Sequence, residues 1–275
     1  MKFTAPNAGD RFTITSAAVW PSIAFQTDAS GPHDWTWTIQ WGTFKKSGTA
    51  QTTGNSWNPV VAVAHLGGEL TVTATAGAET ASIAIRISGT NPSAAEVAAY
   101  LATKPNAEGF DKILQHESKF RNFNSGGEPV KSFDNGYGMC QLTTPAPAYE
   151  QVWNWKLNID GGLALFAAKQ AVATKYLSQS NRVFTQDQLK YEAVCRWNGG
   201  SYHVWDAANA AWVRNPGILC DAATGNIGWD MTDPQNTGKT AAELHKRDSG
   251  LYSRPPAAGA HWKYSGVCYA DAILG

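Results

Sequence analysis

Trp35-Thr36-Trp37-Thr38-Ile39-Gln40-Trp41 alternates large apolar and polar side chains with a period of two. Successive residues of a strand face opposite sides of a sheet, so the tryptophans share one face and the threonines the other. Leu70-Thr71-Val72-Thr73-Ala74-Thr75 repeats the pattern. After Gly77-Ala78-Glu79, the run Ser82-Ile83-Ala84-Ile85-Arg86-Ile87 completes a hairpin signature. Turn residues recur at Gly31-Pro32, Lys46-Ser47-Gly48, Gly54-Asn55-Ser56 and Gly67-Gly68. Such closely spaced strands predict an all-β sandwich over residues 1–90.

Thr90-Asn91-Pro92 reads as a linker, and beyond it the period changes to 3.6. Ser93-x-x-Glu96 is a capping box that opens a helix. Asp160 to Leu177 is a long Ala-rich helical stretch. Thr185-x-x-Gln188 opens another helix, which Gly199-Gly200 ends. Tyr202–Trp205 and Ala211–Arg214 look like a hairpin inserted between helices. The expectation is therefore two domains, an all-β sandwich (1–90) and a mainly α domain with a β-hairpin insertion (91–275). A length of 275 residues agrees with two domains of ordinary size.

The 22 basic residues balance 22 acidic ones, which argues against nucleic acid as a partner. No apolar run is long enough to span a bilayer. The N-terminus, Met1-Lys2-Phe3-Thr4-Ala5-Pro6-Asn7, lacks the apolar core of a secretory signal, so work outside the cytosol would need another delivery route. Cys140, Cys195, Cys220 and Cys268 show no C-x-x-C spacing, and the six histidines show no metal spacing. Neither a metal nor a cofactor is expected. The cysteines read as free buried thiols or as one or two disulfides. The twelve tryptophans suit a core, or a surface on which sugar rings stack.

In Phe110-Asp111-Lys112-Ile113-Leu114-Gln115-His116-Glu117-Ser118, a helical period puts Glu117 on the same face as Phe110, Ile113 and Leu114. A carboxylic acid shielded by apolar neighbours suits protonation of a glycosidic oxygen. A structural glutamate, paired with a base or reaching solvent, is the alternative. His116 falls on another face and reads as a surface residue. Gly136-Tyr137-Gly138-Met139-Cys140-Gln141-Leu142 follows, with glycines that permit unusual dihedrals and an amide at Gln141.

Taken in order, Glu117-Ser118-x-Phe120, Gly138-Met139-Cys140-Gln141, Asn158-Ile159-x-x-Gly162 and Trp197-Asn198-Gly199-Gly200 resemble the lysozyme-like lytic transglycosylase domain. Goose-type lysozymes share that fold. The resemblance covers about residues 95–200 and a last helix near Val267 to Leu274, and residues 201–260 have no counterpart in it. The strand-rich part resembles immunoglobulin-like modules in architecture only. Cys140 stands where the family carries Met, and Cys195 where it carries a small residue. The family places both motifs on one cleft, so the resemblance allows a Cys140–Cys195 disulfide or two buried thiols.

The resemblance implies cleavage of the β-1,4 bond between N-acetylmuramic acid and N-acetylglucosamine in peptidoglycan. Glu117 would be the catalytic acid and then base of a lytic transglycosylase, leaving 1,6-anhydromuramyl ends. Ser118, Tyr137, Gly138, Gln141, Asn158, Trp197 and Asn198 would be substrate-binding residues. Tyr137 and Trp197 could equally be core, Asn198 a link between helix end and cleft, and Ser118 a backbone cap. A hydrolytic muramidase would need a second carboxylate, for which Asp134 and Glu128 are the candidates. A non-catalytic glycan-binding protein, or a structural module of a virion or secretion machine, is a further alternative. The implied site of action is the bacterial periplasm or cell wall, reached by a phage particle, holin-type release or contact-dependent secretion. Virion or secretion components docking on residues 1–90, and an immunity protein, are the implied partners.

Overall fold

The computed structural model describes every residue from Met1 to Gly275 except Asp134. The first strands are β1 (Phe3–Ala5), β2 (Arg11–Ile14), β3 (Phe25–Thr27), β4 (His33–Trp41), β5 (Phe44–Thr52) and β6 (Ser56–Trp57). The short helix α1 (Val60–Val63) and the hairpin β7 (Gly68–Ala76) and β8 (Glu79–Gly89) follow. In β4 the period of two acts as expected: Trp35, Trp37 and Ile39 are buried and Thr36 is exposed. Strand β4 pairs antiparallel with β5 and β7, β7 pairs with β8, and β2 joins β8 in parallel. A smaller sheet has the order β1-β3-β6. Trp35 stacks on Trp57 at 5.9 Å, and the Trp20 indole N–H donates to the Leu66 carbonyl at 2.9 Å. These tryptophans are therefore core and not a sugar platform.

The helices that follow are α2 (Ala94–Leu101), α3 (Phe110–Ser118), α4 (Tyr149–Trp153), α5 (Trp155–Leu177) and α6 (Gln186–Asn198). Ser93 and Glu96 close the capping box of α2, and Thr185 and Gln188 close that of α6. The remaining elements are β9 (His203–Asp206), β10 (Ala211–Arg214), β11 (Ile218–Cys220), β12 (Ile227–Asp230), α7 (Ala241–Asp248), β13 (Lys263–Tyr264) and α8 (Gly266–Leu274).

The expected fold class is overturned. Among the described residues the chain carries 13 strands in several small sheets and 8 helices, and β9 to β13 lie in the part expected to be mainly α. The chain divides into two compact units, 1–105 with 117–162, and 106–116 with 163–275. Residue 90 thus falls inside the first unit. The physical reason is that the strands do not close their own core. Tyr137, Tyr149, Val152 and Trp153 belong to the same apolar cluster as Trp35, Leu70 and Ile85. The Trp153 ring lies so close to Gly67 that any side chain there would overlap it, and the Tyr149 hydroxyl donates to the Gly67 carbonyl at 2.5 Å. The expected linker is a staple. The Asn91 carbonyl oxygen accepts the N–H groups of Asn122 and Phe123, each at 2.7 Å, and its amide donates to the Phe123 carbonyl at 2.7 Å.

In the second unit, β9 and β10 form the expected hairpin, and β11, β12 and β13 form a sheet that the sequence did not announce. Helix α8 packs on α6, and the backbone of Gly266 comes so near the carbonyls of Cys195 and Gly199 that a side chain would not fit. Cys140 and Cys195 are buried free thiols, and the disulfide instead joins Cys220 of β11 to Cys268 of α8. Arg214 reinforces it with an ion pair to Asp271 at 2.7 Å. The bond closes a loop of 48 residues. Loop-closure entropy then predicts that replacing both cysteines by serine costs about 4 kcal/mol, read as a fall in melting temperature that reductant reproduces on the native chain.

The same unit carries six carboxylates held below their usual range: Asp206, Asp221, Asp230, Asp233, Glu243 and Asp248. For Asp230 the Thr232 hydroxyl at 2.7 Å and then Lys263 at 3.0 Å bring the group to about 2. Burial opposes ionisation of Asp221, but hydrogen bonds from His245 and Tyr252 outweigh it. Groups of this kind stabilise the fold above the ordinary carboxylate range and stop doing so as they protonate. The melting temperature of Asp230→Asn should therefore lie below that of the native chain at about pH 6, with the gap closing between about pH 4 and 2.

Candidate functional site

Helix α3 buries Phe110, Ile113 and Leu114 on one face. The Phe110 ring meets those of Phe166 at 5.4 Å and Trp197 at 5.6 Å. Glu117 comes one residue before the helix end and is half-buried, and Ser118 beside it is buried. His116 is exposed, with its ring against Tyr269 at 4.9 Å. Directly after Ser118 the chain turns through two consecutive left-handed residues, Lys119 (φ 54°) and Phe120 (φ 58°). Such backbone costs on the order of 1 kcal/mol per non-glycine residue and persists only where its surroundings enforce it.

Two fully buried asparagines of the first unit, Asn122 and Asn158, shape the turn at 137–142. Asn122 accepts the Met139 N–H at 3.1 Å and donates to the Val152 carbonyl at 3.1 Å. Asn158 accepts the Cys140 N–H at 2.8 Å and donates to the carbonyls of Tyr137 and Gln151, each at 3.1 Å. An amide side chain offers both donors and acceptors, which is what a turn with unpaired groups of both kinds requires. Gly138 (φ 70°) lies against both amides, with no room for a β-carbon. Burial pushes the Cys140 thiol well up and the negative charge of Glu117 adds to it, while the Gly162 backbone opposes both. Glu117 therefore lies within electrostatic reach of this turn.

Gln141 is half-buried in left-handed backbone (φ 51°), and its amide donates to the Gly138 carbonyl at 2.7 Å. Its carbonyl oxygen has no hydrogen-bond partner among the described residues and is the available acceptor at the turn. Asn158 is not a substrate contact, because backbone groups occupy its whole amide. Tyr137 is not a cleft wall. Only 8% exposed, its ring meets the edges of Phe44 at 5.3 Å and Trp41 at 6.1 Å in the strand core. Glu128 is ion-paired with Arg86. Asp134 lies outside the described residues. Trp197 and Asn198 belong to the second unit, at the end of α6, where Gly199 (φ 103°) stops the helix.

Sequence reasoning missed Asn91 and Asn122, which no spacing separates from surface asparagines. It also missed Glu192, fully buried on α6, which accepts the N–H groups of Tyr202 and His203, each at 3.0 Å, and pairs with Arg196 at 2.7 Å. Glu192 thereby pins the segment after Trp197-Asn198-Gly199-Gly200. A glutamate four residues before an arginine on a helix ordinarily reads as an exposed pair. Among the described residues no three His, Cys, Asp or Glu side chains converge as a metal site would require, and no helix is long and apolar enough to cross a membrane.

No protein-family model matches this sequence, and no curated protein resembles it closely enough to count as a relative.

Proposed function

We propose that the chain cleaves peptidoglycan between N-acetylmuramic acid and N-acetylglucosamine as a lytic transglycosylase, with Glu117 as its single catalytic carboxyl. The observation that carries this reading is the half-buried Glu117 at the end of an apolar-backed helix, within electrostatic reach of a turn held by buried amides. Glu117 would first donate its proton to the leaving glycosidic oxygen. The carboxylate would then take the proton of the C6 hydroxyl on the same muramyl residue as that oxygen attacks the anomeric carbon. One bond breaks, one forms, and no water is consumed. An attacking group that is already part of the substrate has a high effective concentration, so a second carboxylate is dispensable. Several acids of the first unit are engaged elsewhere: Glu128 by Arg86, Glu150 by Lys46, and Asp160 by Lys104 and Tyr100. The half-buried Gln141 carbonyl would accept a hydrogen bond from substrate. The Cys220–Cys268 disulfide suits work in an oxidising compartment such as the periplasm or cell wall.

The test is the mass of the products from purified peptidoglycan. Anhydromuramyl ends, one water lighter than reducing ends, are the expected result. Reducing ends would make the chain a hydrolase with a second acid, and intact peptidoglycan after prolonged incubation would remove the catalytic reading.

A further inference from the structure

The β9–β10 hairpin carries a cationic aromatic surface. Trp205 and Trp212 are cross-strand partners, with rings 5.4 Å apart and nearly edge-to-face. Trp212 is the fixed member. It is buried, its indole N–H donates to the Leu177 carbonyl at 3.0 Å, and its own carbonyl accepts from Gln188 at 3.0 Å. Trp205 is half-buried, and its indole N–H has no partner among the described residues. The Arg182 guanidinium lies over both rings, 4.4 Å from the centre of Trp205 and 5.3 Å from that of Trp212. Two left-handed residues, Ser180 (φ 56°) and Asn181 (φ 58°), deliver Arg182 to this position.

Arg182 is half-buried and has no carboxylate partner among the described residues. Its neighbour in the cluster provides the contrast. Arg196 lies over Tyr176 at 4.9 Å, but Glu192 neutralises it at 2.7 Å. The carboxylate next in sequence to Trp205, on Asp206, is occupied by Asn209 and by the N–H of Ala208. A guanidinium lying over indole still carries five N–H donors in a planar fork, and that fork is the geometry that takes a carboxylate in two parallel hydrogen bonds. Partial burial strengthens the attraction by excluding water. The half-buried Trp205 indole, backed by the fixed Trp212, would receive small apolar groups such as methyls or the C–H face of a sugar.

We propose that Arg182, Trp205 and Trp212 form a binding platform for a carboxylate on a partly apolar ligand, and, resting on the wall-cleaving reading above, that this ligand is the stem peptide of peptidoglycan. The platform would hold the wall polymer by its peptide while the glycan is cut elsewhere on the chain.

The test measures binding of the full chain in the Glu117→Gln background, so that nothing is consumed. Four probes are compared: intact sacculi, sacculi stripped of stem peptides by an amidase, a soluble stem peptide, and the same peptide with its carboxylates converted to carboxamides. Arg182→Ala should weaken binding to intact sacculi and to the free-acid peptide by about tenfold, the size expected for a lost charge-assisted pair. It should leave binding to stripped sacculi unchanged. The carboxamide peptide should bind the Arg182-bearing chain as weakly as the acid binds Arg182→Ala, and Arg182→Lys should recover only part of the loss. Equal weakening on stripped sacculi, or none on any probe, overturns the proposal, provided the melting temperature shows Arg182→Ala to be folded. The two readings fail separately. A chain that leaves peptidoglycan uncut yet binds the acid peptide through Arg182 removes the catalytic reading and keeps the platform.

Discussion

Glu117→Gln is expected to slow the clearing of a purified peptidoglycan suspension by about 10²–10⁴-fold, the span that positioned proton transfer contributes. The amide matches the carboxyl in size and hydrogen-bonding reach, but it cannot deliver a proton to a leaving oxygen or take one from the C6 hydroxyl. Glu117 is half-buried near the end of α3, so an isosteric change leaves the packing of Phe110, Ile113 and Leu114 intact. The melting temperature should therefore stay close to that of the native chain, and glycan pull-down should persist. Clearing at the native rate would remove Glu117 from the chemistry. Pull-down without clearing by the native chain itself would favour the glycan-binding alternative.

A large loss of stability is expected from Gly138→Ala. Gly138 has a φ of 70°, and an added β-carbon would stand 2.6 Å from the Asn122 carbonyl oxygen and closer still to the Asn158 amide. Neither asparagine can step aside, because each is fully buried and already bonded to backbone on two sides. The left-handed backbone and the forced displacement together should cost about 4 kcal/mol, at the upper end for single substitutions. Gly77 supplies the comparison, since it has a φ of 59° but no atom near its would-be β-carbon. Gly77→Ala should then cost only about 1 kcal/mol. Urea unfolding of the two variants separates strain from collision, and equal losses would show that the buried amides do not constrain the turn. The clearing activity of Gly138→Ala should fall with its stability, because the turn carries Gln141.

Much of the local structure was legible because periodicity reports which face of an element is buried. The alternation in Trp35–Trp41, the hairpin from Leu70 to Ile87 and the capping boxes at Ser93 and Thr185 all translate directly into the observed elements. Periodicity does not report what covers that face. The strand module draws its cover from Tyr137, Tyr149 and Trp153, far along the chain, and those aromatics look the same in a core as in a sugar cleft. For the same reason the sequence leaves Tyr137 open between cleft and core, and the resemblance leaves Cys140 and Cys195 open between a disulfide and two thiols, while the bond observed joins Cys220 to Cys268. At the candidate site, spacing could pick out Glu117 as the acidic residue sharing the helical face of Phe110, Ile113 and Leu114. Asn91, Asn122 and Glu192 could not, since their roles come from backbone groups that only the folded chain brings to them.

The Asn91 staple has a consequence for how such a chain can change over evolution. A strand module tethered by a loose connector is a cassette, which recombination can swap and a protease can clip away while both fragments survive. Here the hinge residue itself ties down the backbone at 122–123, and the strands borrow their lid from residues 137–153. A crossover near residue 90 would leave each product with an open hydrophobic wound, so the smallest portion that could be inherited intact runs through the segment bearing Glu117 and Gln141. Any targeting specificity the strands acquired would have had to evolve in place, alongside that segment.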